Sequence, residues 1–107
     1  MDDENLIAII KGNPGITHLN LEDCHKLTGA SLNVIVTELK ELVWLKAKGC
    51  KTLTEDFTEI RALKEMKLLC IDLSETDVSD AKLQILVENL PKLKSILLKG
   101  KKLFLNF

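Results

Sequence analysis

Five residues of this 107-residue chain carry side chains that ligate metals or act as nucleophiles and bases: His18, Cys24, His25, Cys50 and Cys70. Two chemistries would suit them. A zinc site needs four such donors about one point, and close pairs such as C-x-x-C or H-x-x-x-H commonly supply them. Neither spacing occurs in this sequence. A thiol nucleophile needs an imidazole within hydrogen-bond reach, so Cys70 with His18 is the pair to weigh. Gly12, Gly15 and Gly29 fit neither the phosphate-binding loop nor the dinucleotide glycine spacing. Whether the five donors can meet is decided by the elements that carry them.

Those elements are set by an internal repeat. Taking Ile16, Leu42, Leu68 and Leu93 as first positions aligns ITHLNLEDCHKLT, LVWLKAKGCKTLT, LLCIDLSETDVS and LKSILLKGKKL, with steps of 26, 26 and 25 residues. The fourth positions are Leu19, Leu45, Ile71 and Ile96, and the sixth are Leu21, Ala47, Leu73 and Leu98. Alternation of this kind predicts short strands with one face buried.

Between these pieces the apolar spacing lengthens to three and four, the period of a helix. Leu32, Ile35, Val36 and Leu39 would line the first return leg, Phe57, Ile60 and Leu63 the second, and Leu83, Leu86, Val87 and Leu90 the third. Thr28, Thr54 (before Glu55 and Asp56) and Ser79 (before Asp80) stand where helix caps are wanted. Pro91 marks an exit, and Pro14 holds the same place before Ile16. Residues 3–12, DENLIAIIKG, therefore read as the helix of an incomplete leading repeat, with Leu6, Ile9 and Ile10 inward. The chain reads as one helix, three strand-turn-helix units and a last strand.

The pattern L-x-x-L-x-L-x-x-C/N/T, met in four consecutive windows, resembles the leucine-rich repeat family. Cysteine at the ninth position followed by x-x-Leu-Thr (Cys24 to Thr28, Cys50 to Thr54) and the variant Thr76-Asp-Val78-Ser79 resemble its cysteine-containing subclass. The resemblance implies an α/β solenoid, a curved right-handed βα superhelix with its parallel sheet concave and its helices convex. It also implies a function, since this subclass is common in the substrate-recognition halves of F-box proteins and related ubiquitin-ligase adaptors. The chain departs from the pattern at Ala47, where leucine is usual, and at Lys101, where Cys, Asn or Thr is wanted; no F-box segment is read ahead of the repeats. The domain reading is a single leucine-rich-repeat domain over 1–107, with a capping helix over 1–15, repeats starting near 16, 42, 68 and 93, and a cap or tail over 99–107.

In such a stack the ninth position faces turn amides and carbonyls, where an unpaired group costs about 1 to 3 kcal/mol. Cys24, Cys50 and Thr76 fill that place with small, weakly hydrogen-bonding side chains. The geometry also separates the five donors: His18 and Cys70 fall on the concave face two rungs apart, about 10 Å, Cys24 and Cys50 fall inside the turns, and His25 falls on a loop. Neither a metal site, a cofactor site nor a catalytic site is expected. Parallel side-chain vectors of neighbouring rungs also disfavour a Cys24–Cys50 disulfide.

The expected function is therefore contact. Three outward columns result: His18, Trp44, Cys70 and Ser95; Asn20, Lys46, Asp72 and Leu97; Glu22, Lys48, Ser74 and Lys99. The single tryptophan is the proposed anchor for a protein partner, with His18, Asn20, Lys46, Cys70, Asp72 and Leu97 around it. The competing role for Trp44 is packing on a neighbouring rung or over the gap at Ala47. Lys46 is expected to pair with Asp72 across rungs, and Glu22 to lie beside Lys48.

A net charge of -1, from 15 basic and 16 acidic residues, argues against nucleic acid and anionic membranes as partners. The lysines at 92, 94, 99, 101 and 102 read as a solvated edge that discourages end-to-end pairing. Three cysteines fit a reducing compartment, cytoplasm or nucleus. Two further readings are an inhibitor that blocks an enzyme's active site, and a structural subunit, a self-dimer in the simplest case, using the tail Leu103, Phe104, Leu105 and Phe107. Folding back of that tail as a cap is the preferred role for it.

Overall fold

The return legs all lie on one side of a sheet whose core-facing residues come from the fourth and sixth positions. The computed structural model describes residues 1–99 and 101–104, with nine elements in the order α1 (Asp3–Gly12), β1 (His18–Asn20), α2 (Gly29–Glu38), β2 (Trp44–Lys46), a 3-10 helix (Ile60–Glu65), β3 (Cys70–Asp72), α3 (Asp80–Asn89), β4 (Ser95–Leu98) and β5 (Lys101–Phe104). The strands form one sheet in sequence order. The first four are parallel, and their registers align Leu19 with Leu45, Leu45 with Ile71 and Ile71 with Ile96. Each parallel pairing needs a crossover, and the return legs supply it.

Alternation then sorts the side chains. Leu45, Ile71 and Ile96 are at most 2% exposed, and Leu21, Ala47 and Leu73 join them in the core. The leucines of the two Leu-Thr turns, Leu27 and Leu53, are fully buried. The parallel amide ladder continues past the strands, with Leu21 N donating to Lys46 O at 2.7 Å, Ala47 N to Asp72 O at 2.8 Å and Leu73 N to Leu97 O at 2.9 Å. Asp23, Gly49 and Glu75, all at the eighth position of their repeats, turn the chain with left-handed φ of 61°, 80° and 58°.

Two of the three expected caps form. Thr28 accepts from Ala30 N at the start of α2, and Ser79 accepts from Lys82 N at the start of α3. The leading helix spans the expected residues, with Asp2 accepting from Asn5 N. Ile9, however, is not inward: it is 44% exposed while Leu6 and Ile10 are buried. Leu6 and Ile10 are one helical turn apart, and a terminal leg with a neighbour on one side only covers that narrow stripe.

The second return leg also differs from the expectation. Thr54 caps no helix; it is buried in a run of turns, and the leg becomes a six-residue 3-10 helix. Asn33 of α2 explains this, because its Oδ1 accepts from both Thr58 N (2.9 Å) and Glu59 N (3.1 Å), holding that backbone out of helical pairing. Gly29 assists by close approach: a Cβ there would collide with the backbone of residues 55–57. The leg starts late, and a 3-10 helix rises about 2.0 Å per residue against about 1.5 Å for an α-helix, so fewer residues cover the distance.

Polar side chains join each leg to the next. The Asp3 carboxylate accepts from Thr28 N, Thr28 Oγ1 and Ser31 Oγ, fastening α1 to α2. Lys82 of α3 donates to Phe57 O at 2.8 Å and lies 5.9 Å from the Phe57 ring centre. The tail does fold back within the chain. Strand β5 pairs antiparallel with β4 and covers its edge, Ile96 facing Leu103 in register and Ser95 facing Phe104. The parts of that expectation resting on Leu105 and Phe107 lie outside the described residues.

Candidate protein-binding face

The face of the sheet opposite the core carries the three expected columns. Registers set His18 beside Trp44, Trp44 beside Cys70 and Cys70 beside Ser95; in the next column Asn20, Lys46, Asp72 and Leu97 are neighbours in the same way. Their exposure is uneven. His18 and Asn20 are exposed, Trp44, Lys46, Cys70 and Leu97 are half-buried, and Asp72 is buried at 6% exposure.

Trp44 packs on the neighbouring strand: its ring centre is 6.0 Å from that of His18, tilted by 37°. Ala47 points to the opposite face, so covering that gap is not the role of the indole. Thr17 Oγ1 lies 3.0 Å from His18 Nδ1, which fixes the ring beside the indole.

The charges pair differently from the expectation. Lys46 Nζ reaches diagonally to Glu22 Oε1 at 2.7 Å, and Asp72 instead accepts from Ser74 N at 2.9 Å. The hydrogen bond and charge of Lys46 lower the pKa of Glu22, and the same contact raises that of Lys46. Asn20 Oδ1 accepts from Glu22 N, bracing the acid. Asp72 is thus a floor residue, enclosed because long side chains stand on the strands beside it.

On β3 and after it, Asp72 lies between Lys46 and Leu97, and Ser74 lies between Lys48 and Lys99, short side chains between longer ones. Where the strands end, Lys48, Ser74, Glu75, Thr76 and Lys99 enclose a shallow cavity of about 450 Å³. Lys48, Ser74 and Lys99 occupy the outermost expected column, and none is among the expected partner-binding residues; the signal available in one dimension is a small serine with a lysine one repeat step to either side. A second cavity, about 380 Å³, opens at the end of the stack among Leu73, Val78, Leu83, Leu98 and Leu103, with Glu75, Asp80 and Lys99 at its rim.

The cysteines do separate works of packing. Cys50 is fully buried, donates to Leu21 O at 2.8 Å, and burial pushes its thiol up to about 11. Thr76 Oγ1 donates to Leu73 O at 2.7 Å in the equivalent position. Cys24, at the open end, is half-buried with only a long contact of 3.9 Å to Glu22 O. All three are free thiols. Among the described residues no three of His, Cys, Asp or Glu gather as a metal site, and no helix is long and apolar enough to cross a membrane.

Comparison with family models gives no match, and comparisons with characterised proteins and with solved structures give none either.

Proposed function

We propose that the chain is a leucine-rich-repeat solenoid of the cysteine-containing kind and a non-enzymatic module that holds a protein partner on the open, concave face of its sheet. The observation that carries the reading is the half-buried Trp44 held against His18 on β2, between two neighbouring strands, on a face that no helix among the described residues covers. A braced indole gives large contact area with little conformational entropy left to lose, the property of an interface anchor. Glu22 and Lys46 beside it form a closed ion pair that favours correct register over raw affinity. Substrate recognition as an adaptor is the use suggested by the resemblance of the repeats.

The test is capture of partners by the wild-type chain and by Trp44→Ala, followed by mass spectrometry and titration of the captured protein. An anchor of this type contributes about 2 kcal/mol or more, so affinity should fall at least about 30-fold with the fold unchanged by circular dichroism. Equal affinity would remove the basis of the proposal.

A second reading, assembly through the end of the stack, is favoured by Leu103, 46% exposed beside the 380 Å³ apolar cavity. It predicts a concentration-dependent oligomer that Leu103→Asp dissolves, with binding at Trp44 unaffected.

A further inference from the structure

The cavity at the C-terminal ends of the parallel strands has a charge pattern that the indole does not explain. Its floor is Ser74, only 3% exposed, and its walls are Lys48 and Lys99 from the segments after β2 and β4. Those strands flank β3, so they are two strand spacings apart, about 10 Å. Lysine stems converging over that gap can bring both ammonium groups onto one small ion.

The local acids compensate this charge only in part, since Lys48 acts on the Glu22 carboxylate through space without a direct contact. Glu22 is taken by Lys46, and Asp72 accepts from the Ser74 amide. Among the described residues neither Lys48 nor Lys99 belongs to an ion pair. Among the described residues Glu75 is the one carboxylate in the lining, against two ammonium groups. Thr76 closes the floor, but its hydroxyl proton is committed to Leu73 O. Attraction in this pocket is therefore chiefly coulombic: it selects charge before shape.

We infer that this cavity is an acid-recognition subsite of the binding face, receiving a carboxylate or phosphate group of the protein partner between Lys48 and Lys99. The inference rests on the proposed use of that face, and it gives the partner a stated chemistry: an apolar group for Trp44 and an anionic group toward the strand ends. Carboxylate and phosphate share the charge the pocket selects.

The experiment follows backbone amide shifts of the isotopically labelled full chain during titration with inorganic phosphate, with acetate, and with chloride at matched ionic strength. Saturable shifts at Ser74, Glu75 and Thr76 with phosphate or acetate, exceeding those with chloride, support the subsite. Stronger response to phosphate identifies a phosphorylated side chain, and stronger response to acetate an acidic side chain or terminus. The double variant Lys48→Gln/Lys99→Gln should abolish saturation, and Glu75→Gln should tighten binding about threefold, a gain that a merely structural role would not produce.

Shifts equal to those with chloride, shifts equally large at the exposed Lys92 and Lys94, or saturation that survives in the double variant would each overturn the inference. Trp44→Ala separates it from the underlying reading. Partner capture lost in Trp44→Ala but fully retained in the double variant removes the acid subsite and leaves the binding face standing. Phosphate or acetate saturation retained in Trp44→Ala, with capture weakened at least tenfold in the double variant, supports the subsite.

Discussion

Asn33 offers the sharpest test of how the return legs are held together. One side-chain oxygen accepts two backbone amides, Thr58 N at 2.9 Å and Glu59 N at 3.1 Å, while the amide nitrogen donates to Thr58 Oγ1 at a longer 3.3 Å. Asn33→Ala removes the one acceptor of both bonds. Each bond contributes about 1 kcal/mol net, and water reaches these partly exposed amides, so the expected loss is about 1 to 2 kcal/mol. With a urea dependence of about 1 to 3 kcal/mol per molar for a small domain, the unfolding midpoint should fall by roughly 1 M. Asn33→Asp keeps an oxygen that accepts both amides, now charged, and gives up only the weak contact to the Thr58 hydroxyl, so it should unfold within about 0.5 kcal/mol of wild type. Hydrogen exchange at Thr58 and Glu59 should accelerate in the alanine variant and not in the aspartate one. If both variants lose stability equally, the shared Asn33 oxygen is not what holds the second leg and does not cause its 3-10 helix.

Leu45→Ala should cost about 2 to 5 kcal/mol, because the side chain is 1% exposed in the central register, whereas Ile9→Ala should be close to neutral; urea denaturation of both checks the contrast. At Asp3, desolvation raises the carboxyl pKa, but hydrogen bonds from Ser31 and Thr28 outweigh it and the net shift is downward from 3.8. A depressed folded-state pKa stabilises above the unfolded value and is lost as pH falls through the folded one, so α1 should loosen only below about pH 4. Helix signal or amide exchange of residues 3–12 during acid titration reads this, and Asp3→Asn should flatten the response. Cys50, buried and with its thiol raised to about 11, should be alkylated by iodoacetamide at pH 8 far more slowly than Cys24 or Cys70, as peptide mass mapping will report.

Much of this molecule is local, and local features are readable in one dimension. Strand alternation about Leu45, Ile71 and Ile96 and the caps at Thr28 and Ser79 depend on neighbours two to four residues away, and the step of 25 or 26 residues shows by aligning such local patterns along the chain. Once the period is known, the step itself names the side-chain neighbours on adjacent strands, so His18 beside Trp44 and Trp44 beside Cys70 could be derived in advance.

Tertiary contacts decided the rest, because they join groups on different legs whose reach no periodicity specifies. Asn33 capturing the amides at 58 and 59 overrode the helix signal of Thr54-Glu55-Asp56, and a single neighbouring helix left Ile9 in solvent. Side-chain length and direction sent Lys46 to Glu22 and left Asp72 on the floor of the face, since a flexible ammonium takes the exposed partner while a short carboxylate bonds the nearest amide. The sequence alone set the order and spacing of the strands; the folded chain alone chose which of their polar groups remain available to a partner, because that choice depends on distances across the sheet.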